Sequence, residues 1–244
     1  MIDKEIKEKF SSIRFNELEE YMPSYQSRFY GRLVPKSNKP DRLLGYNGIN
    51  FLLNSLQRSR CIFIGFIDCI NRTHRGLAYL AARAHFETTG LVAYFLRYIQ
   101  KFYQGEIKYE DIDDLLLKLS VGGRTFPEKN THPERPEAVN VLTLIDGADK
   151  VFIEMGGDKN IFRSCYDYLS EFCHPNWAGL TIGSDIVDEG DMHTVVYYAT
   201  PEFKEEDFVI LINYMLISCS FFFNVYDKCF ALIKDNEELP DLIG

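Results

Sequence analysis

Apolar residues recur at helical spacing along most of the chain. Between 47 and 71, Phe51, Leu52, Leu56, Ile62, Phe63, Phe66, Ile67 and Ile70 fall on the repeat of a buried helix face. The same repeat predicts a second long helix over 73–102, burying Leu77, Leu80, Ala81, Ala84, Leu91, Phe95 and Ile99. Shorter helices are predicted over 112–119, 139–155 and 160–173. A long apolar helix over 204–232 follows Pro201 and the acidic start EFKEEDF. Residues 3–22 read as one charged helix stopped by Pro23. Residues 23–45, with three prolines and two glycines, read as an irregular wrapping segment, and 121–138 as a loop. After Trp177 the repeat changes. β-Branched residues flank a DEGD turn and predict a hairpin near 178–199, with strands over 178–184 and 193–199. The fold class is all-α: a multi-helix bundle over 46–244 with one small β-hairpin, wrapped by 1–45.

Charge and composition narrow the setting. A net charge of −9 disfavours non-specific DNA binding and anionic membrane surfaces, because both require phosphate neutralisation. The most apolar run, 211–226, contains Asn213 and Asn224 and is shorter than a bilayer span, so it reads as a core helix. Six cysteines without a CxxC pair read as reduced core residues, and the charged N-terminus does not read as a signal peptide; both point to the cytoplasm. Phe (19) and Tyr (15) exceed what one bundle of this size usually hides. With Phe221, Phe222 and Phe223 consecutive, the surplus predicts a homodimer through helical faces.

Candidate chemistry concentrates on two helices. On 160–173, Phe162, Cys165, Leu169, Phe172 and Cys173 form the apolar face, and Arg163, Asp167, Ser170, Glu171 and His174 the polar one. Ser170 and Glu171 are each within a turn of His174, so His174 is either a functional acid–base group or the charged cap of a helix C-terminus. Asn176 and Trp177 follow it as candidate ligand contacts. On the other helix, Arg83 and Glu87 share a face, as a buried ion pair or as part of a site, while His85 points elsewhere and reads as a hydrogen-bonded core or boundary residue. Arg72, His74 and Arg75 open that helix and read as solvent-facing, with the makings of a small anion site. Glu171 and His174 form a single Glu-x-x-His, where a di-metal bundle needs two. No dinucleotide or P-loop motif is present, and neither metal nor cofactor is expected.

Three stretches, Arg83-Ala-His-Phe-Glu87, 140–146 (NVLTLID) and 166–176 (YDYLSEFCHPN), resemble a group of bacterial all-helical proteins loosely related to the HEPN (higher eukaryotes and prokaryotes nucleotide-binding) superfamily. The resemblance covers about 80–180. It implies a helical bundle and an association with RNA, toxin–antitoxin or phage-defence systems. It also implies a metal-independent ribonuclease in which an arginine and a histidine four to six residues apart act together. Here ten residues separate Arg163 from His174. Two functions follow as expectations. The first is a non-catalytic binding or dimerisation module with a protein or RNA partner. The second is a ribonuclease with His174 as general acid or base, Arg83 or Arg163 steadying phosphate, and Glu87 and Ser170 beside them.

Overall fold

The computed structural model describes residues 1–36, 43–123, 136–188, 190, 193–197 and 203–244. Three short helices, α1 (Lys4–Lys9), α2 (Phe15–Glu19) and α3 (Tyr21–Ser27), lead to strand β1 (Arg32–Val34). Two long helices follow, α4 (Leu44–Asn71) and α5 (Arg75–Tyr103), then α6 (Tyr109–Val121), α7 (Val141–Glu154), α8 (Ile161–Cys173) and the single turn α9 (Trp177–Leu180). Strands β2 (Ser184–Asp188) and β3 (His193–Tyr197) form the hairpin. The 32-residue α10 (Glu205–Asn236) and strand β4 (Asp241–Ile243) complete the order. The fold is the all-α bundle with a small hairpin that the apolar repeat predicts. The predicted loop at 121–138 and the DEGD turn fall largely outside the described residues.

Helix α5 is the axis. It packs against α4, α6, α7, α8 and α10. Close approach is possible because the contacts are made by small residues: Gly90 lies against Leu144 and Ile145 of α7, and Gly147 of α7 against the ring of Tyr94. The inward stripe of α5 runs through Ala78, Tyr79, Ala82, His85, Phe86, Thr89, Ala93 and Leu96, all buried. This corrects the face read from the leucines. Leu77 and Leu80 point outward, because alanines and a histidine occupy the side turned to α4 and α10.

The N-terminal segment belongs to the same core. Phe15 and Phe10 meet Phe208, and Tyr25 meets Phe63 and Phe223. The single helix expected over 3–22 is broken into three. Pro23 sits in the first turn of α3, where its missing N–H leaves no intrahelical bond unmade. The wrapping segment ends in β1, which pairs antiparallel with β4 and ties the two ends of the chain together. Trp177–Leu180, read as the start of the hairpin, is helical; the first strand begins at Ser184.

The aromatic surplus is used internally. Phe221 packs on Phe152 and Phe162, Phe222 on His85 and Tyr226, and Phe223 on Tyr21 and Tyr25. All three are buried, so the aromatic count no longer argues for a dimer. Helix α10 is long and apolar enough to cross a membrane by length and composition, and most of its apolar window is buried inside the bundle. Of the cysteines, Cys165, Cys219 and Cys229 are core residues, Cys69 and Cys173 are half-buried and Cys61 is exposed; none is in a disulfide.

One polar cluster crosses the core. His85 is fully buried, with Nε2 2.7 Å from Ser59 Oγ and 3.0 Å from the Tyr25 hydroxyl, and Nδ1 2.7 Å from Ser218 Oγ. Thr89 joins Ser218 at 3.0 Å. The cluster links α3, α4, α5 and α10, and its hydroxyls meet both ring nitrogens, which a buried imidazole requires. Burial depresses the His85 pKa from 6.5 to about 3, so the ring is neutral in the folded protein. The unfolded chain then binds more protons between those two values. His85 therefore costs the fold about 1.4 kcal/mol for each pH unit below 6.5. Urea unfolding of wild type and His85→Gln at pH 7.5, 6, 5 and 4 checks this. The variant is expected to be less stable at pH 7.5 but to lose less stability on acidification. Parallel curves for the two proteins would refute the buried neutral imidazole.

Candidate functional site

Most residues with candidate chemistry are engaged in holding the bundle together. Arg83 lies between α5 and α8. Its Nη2 donates to the Tyr166 hydroxyl at 3.1 Å, its guanidinium covers the Tyr166 ring, and the Glu87 carboxylate is 3.3 Å from Nε. The Nε–H is buried and poorly aligned for a hydrogen bond to that carboxylate. The Tyr166 hydroxyl donates in turn to Glu87 at 3.3 Å. Burial opposes the Arg83 charge, but Tyr166 and Glu87 outweigh it and its pKa is raised. Arg83 and Glu87 thus converge, on a tyrosine rather than on His174. The Cys173 thiol, pushed up by burial, stands beside the same guanidinium.

Ser170 Oγ donates to the carbonyl of Tyr166 one turn back, so it is not poised on His174. Glu171 accepts from Asn176 Nδ2 at 2.7 Å. His174 is exposed at the C-cap of α8, and among the described residues its ring has no hydrogen-bond partner. Arg163 is bracketed by Asp146 and Asp167, which raise its pKa. Asn176 caps α9 by accepting from the Gly179 N–H.

Arg75 corrects the solvent-facing anion site. Its guanidinium turns inward, with Nη2 2.8 Å from Asp207 and Nη1 3.3 Å from the Ile182 carbonyl. Asp207 also accepts from the Tyr79 hydroxyl and, at the start of α10, from the Lys204 N–H. Arg72 alone of that trio remains a free exposed cation beside His74, among the described residues. Asp207 caps its own helix as the third residue of a capping box and is also reached by Arg75 and Tyr79, while Asp149 was invisible to motif reading because it caps the next helix. Asp149 of α7 accepts from the backbone of Asn160, Phe162 and Arg163 at the N-terminus of α8.

What is left open is apolar. Leu77 and Leu80 of α5 are 53% and 45% exposed, Trp177 and Leu180 of α9 are 69% and 72% exposed. Beside Leu77 and Leu80 lies a cavity of about 430 Å³ whose wall combines Phe172 and Ile182 with His74 and Arg75 and meets α9 at Gly179. Thr73 closes α4 in the left-handed conformation, φ 55°, a place glycine usually takes. The next N–H, of His74, returns to the Cys69 carbonyl at 2.8 Å. A larger cleft of about 730 Å³ lies between α2–α3, the end of α7 and α10, with an apolar floor of Phe152, Leu216 and Phe221 and a rim carrying Glu17 and Glu20. Among the described residues no three His, Cys, Asp or Glu side chains group to hold a metal ion. No protein-family model, curated protein or solved structure matches the chain.

Two measurements separate the structural residues from the open face. Arg75→Ala leaves the buried Asp207 carboxylate uncompensated and is expected to cost about 3 kcal/mol in urea unfolding. Arg163→Ala breaks only exposed pairs and is expected to stay within about 1 kcal/mol of wild type. Equal losses would contradict this division. At the cavity edge, Thr73→Gly relieves the left-handed β-branched residue and is expected to raise stability by about 1 kcal/mol, seen as a small increase in Tm.

Proposed function

We propose that the protein is a non-catalytic binding module whose working surface is the apolar face formed by the start of α5, by α9 and by the cavity between them. The observation that carries this is a cavity lined by the exposed Leu77 and Leu80 and by Gly179 of α9, the short helix on which Trp177 and Leu180 are also exposed. Contiguous exposed apolar surface of this kind marks recognition sites. The internal polar residues support the same reading. Arg83, Glu87, Ser170, Arg163 and Arg75 each spend their hydrogen bonds on residues other than His174, whose ring has no hydrogen-bond partner among the described residues. The HEPN-like stretches at 83–87 and 166–176 meet at the α5–α8 contact and support a bundle of that kind working with a protein or RNA partner.

A photocrosslinking residue in place of Leu180 tests the face in the cell, with one in place of the exposed Lys159 as control. A covalent adduct is expected from position 180 and none from 159. Absence of any adduct from 180 removes the basis of the proposal. RNA cleavage by the purified protein that His174→Gln abolishes at unchanged Tm would replace it with catalysis.

A further inference from the structure

We infer that the larger cleft, between α2–α3, the end of α7 and α10, is a second binding surface, and that it takes an amphipathic helix of a partner protein with lysine or arginine beside its apolar stripe. The cleft shares no lining residue with the cavity beside α5, so it stands apart from the working face proposed above.

Its shape comes from α10. Leu216, Ile217, Ser220, Phe221 and Asn224 form the floor. Their spacing keeps them on one face of the helix, over about 12 Å of its axis. Leu216 and Phe221 are buried, Ile217 is half-buried, and Ser220 and Asn224 are exposed. The Asn224 side chain turns back on its own helix, with Nδ2 donating to the Ser220 carbonyl at 2.8 Å. The floor is thus a stripe of helical repeat with short polar side chains, set between two walls, and a second helix packs on a surface of that form. The walls are held in place. The Tyr21 ring stacks on Phe223 at 5.8 Å, and Phe152 meets Phe221 edge-on at 5.1 Å. Phe152 also lies over Gly157, where an added Cβ would strike its ring. A surface already formed spares a partner the cost of ordering it.

Charge selects the kind of helix. Glu17 and Glu20 are exposed on the α2–α3 wall. Burial raises the pKa of the Tyr21 hydroxyl, and both carboxylates add to the rise, so their charge acts on this wall. Arg14 also lines the cleft, but its guanidinium is held by Glu17 at 3.1 Å and by Asn213 at 2.5 Å. Glu20 has no ion pair among the described residues. The opposite wall adds to the negative side. Helix α7 closes with the Gly157 N–H on the Phe152 carbonyl and the Gly156 N–H on the Ile153 carbonyl, both at 2.9 Å, and Gly156 takes φ 88°. The carbonyls of Glu154 and Met155 accept no backbone hydrogen bond among the described residues. Met155 and Gly156 line the cleft, so the negative end of α7 borders it. A cation on the entering helix meets a carboxylate on one side and carbonyls on the other. Its apolar stripe meets Phe152, Met155 and Ile217, all half-buried. The net charge of −9 draws a basic partner from a distance.

The probe is a peptide of about 18 residues, built from leucine, alanine and lysine with lysines flanking a helical leucine stripe. Two comparison peptides carry glutamate in place of lysine, or the same residues shuffled so that no stripe forms. Fluorescence anisotropy of labelled peptide is measured against the purified full chain. The basic amphipathic peptide is expected to saturate at micromolar concentration and the other two to bind at least about tenfold more weakly. Glu20→Lys reverses the unpaired rim charge and Ser220→Trp fills the trough. Both positions are exposed, and helix content by circular dichroism confirms that each variant folds. Each is expected to weaken the peptide about tenfold. Asp113→Lys makes the same charge change at an exposed position of α6 and is expected to stay within about twofold of wild type. Emission of Trp177, the only tryptophan, is expected to stay unchanged with unlabelled peptide, because α9 is not part of this cleft. No saturation below about 1 mM, shuffled peptide binding as tightly, or equal losses from Asp113→Lys and Glu20→Lys overturns the inference. So does a peptide-induced change in Trp177 emission. None of these outcomes bears on the adduct from position 180, which tests the other face.

Discussion

The structure depends on the solvent-excluded position of α5. A helix packed by five others has little perimeter left for water, so its inward stripe has to be narrow or internally satisfied. Alanines at 78, 82 and 93 and glycine at 90 supply the narrowness. His85 and Thr89 supply the satisfaction, meeting hydroxyls from α3, α4 and α10. The imidazole can be buried only as the neutral ring, and both nitrogens find partners in that form. The same demand explains why the leucines of the first two turns face outward. Large side chains at 78 and 82 would hold α4 and α10 apart, and Leu77 and Leu80 lie on the exposed flank.

The remaining polar residues follow from the cost of leaving a buried charge unpaired. Arg83 reaches Glu87 and Tyr166 across the α5–α8 contact. Asp149 takes three backbone N–H groups at the start of α8, a helix whose own N-cap, Asn160, provides no side-chain cap. These groups resemble a reactive site in sequence because reactive sites and helix contacts draw on the same residue types. Geometry distinguishes them. A catalytic group needs an unspent lone pair or proton facing a cleft; Arg83, Glu87, Ser170 and Arg75 spend theirs within the fold, while the His174 ring faces solvent.

Helical periodicity made the long elements legible, because α4, α5, α7, α8 and α10 each bury a face over several turns. It did not fix which flank of α5 was buried. Periodicity weights a residue by its apolar size, and packing at a crowded axis rewards smallness. The three-residue strands β1 and β4 are too short to carry a pattern, and their pairing joins residues more than two hundred positions apart. Asp149 was illegible for a related reason: a cap supplied by another helix has no fixed sequence offset. The Arg83–Glu87 pair was readable in part, since spacing places the two together, whereas Asn176, read as a ligand contact, caps α9. What spacing omits is the third partner, Tyr166 or Glu171, that decides whether they are free.

Arg75 connects the buried polar network to the exposed apolar face. One Nη holds Asp207 at the start of α10 and the other holds the Ile182 carbonyl, just before the hairpin. Ile182 also lines the cavity. A buried ion pair adds little net stability over well-packed apolar groups. Its directional bonds can still fix one segment relative to another. Strands β2 and β3 have no extended packing with any helix among the described residues, so a directional bond at the root of the hairpin helps to set its position. The side chain that would otherwise have served an anion site thus sets the placement of Ile182 in the wall of the cavity. Loss of that bond would loosen Ile182 in the wall of the cavity, which ties this surface to a charge pair within the bundle.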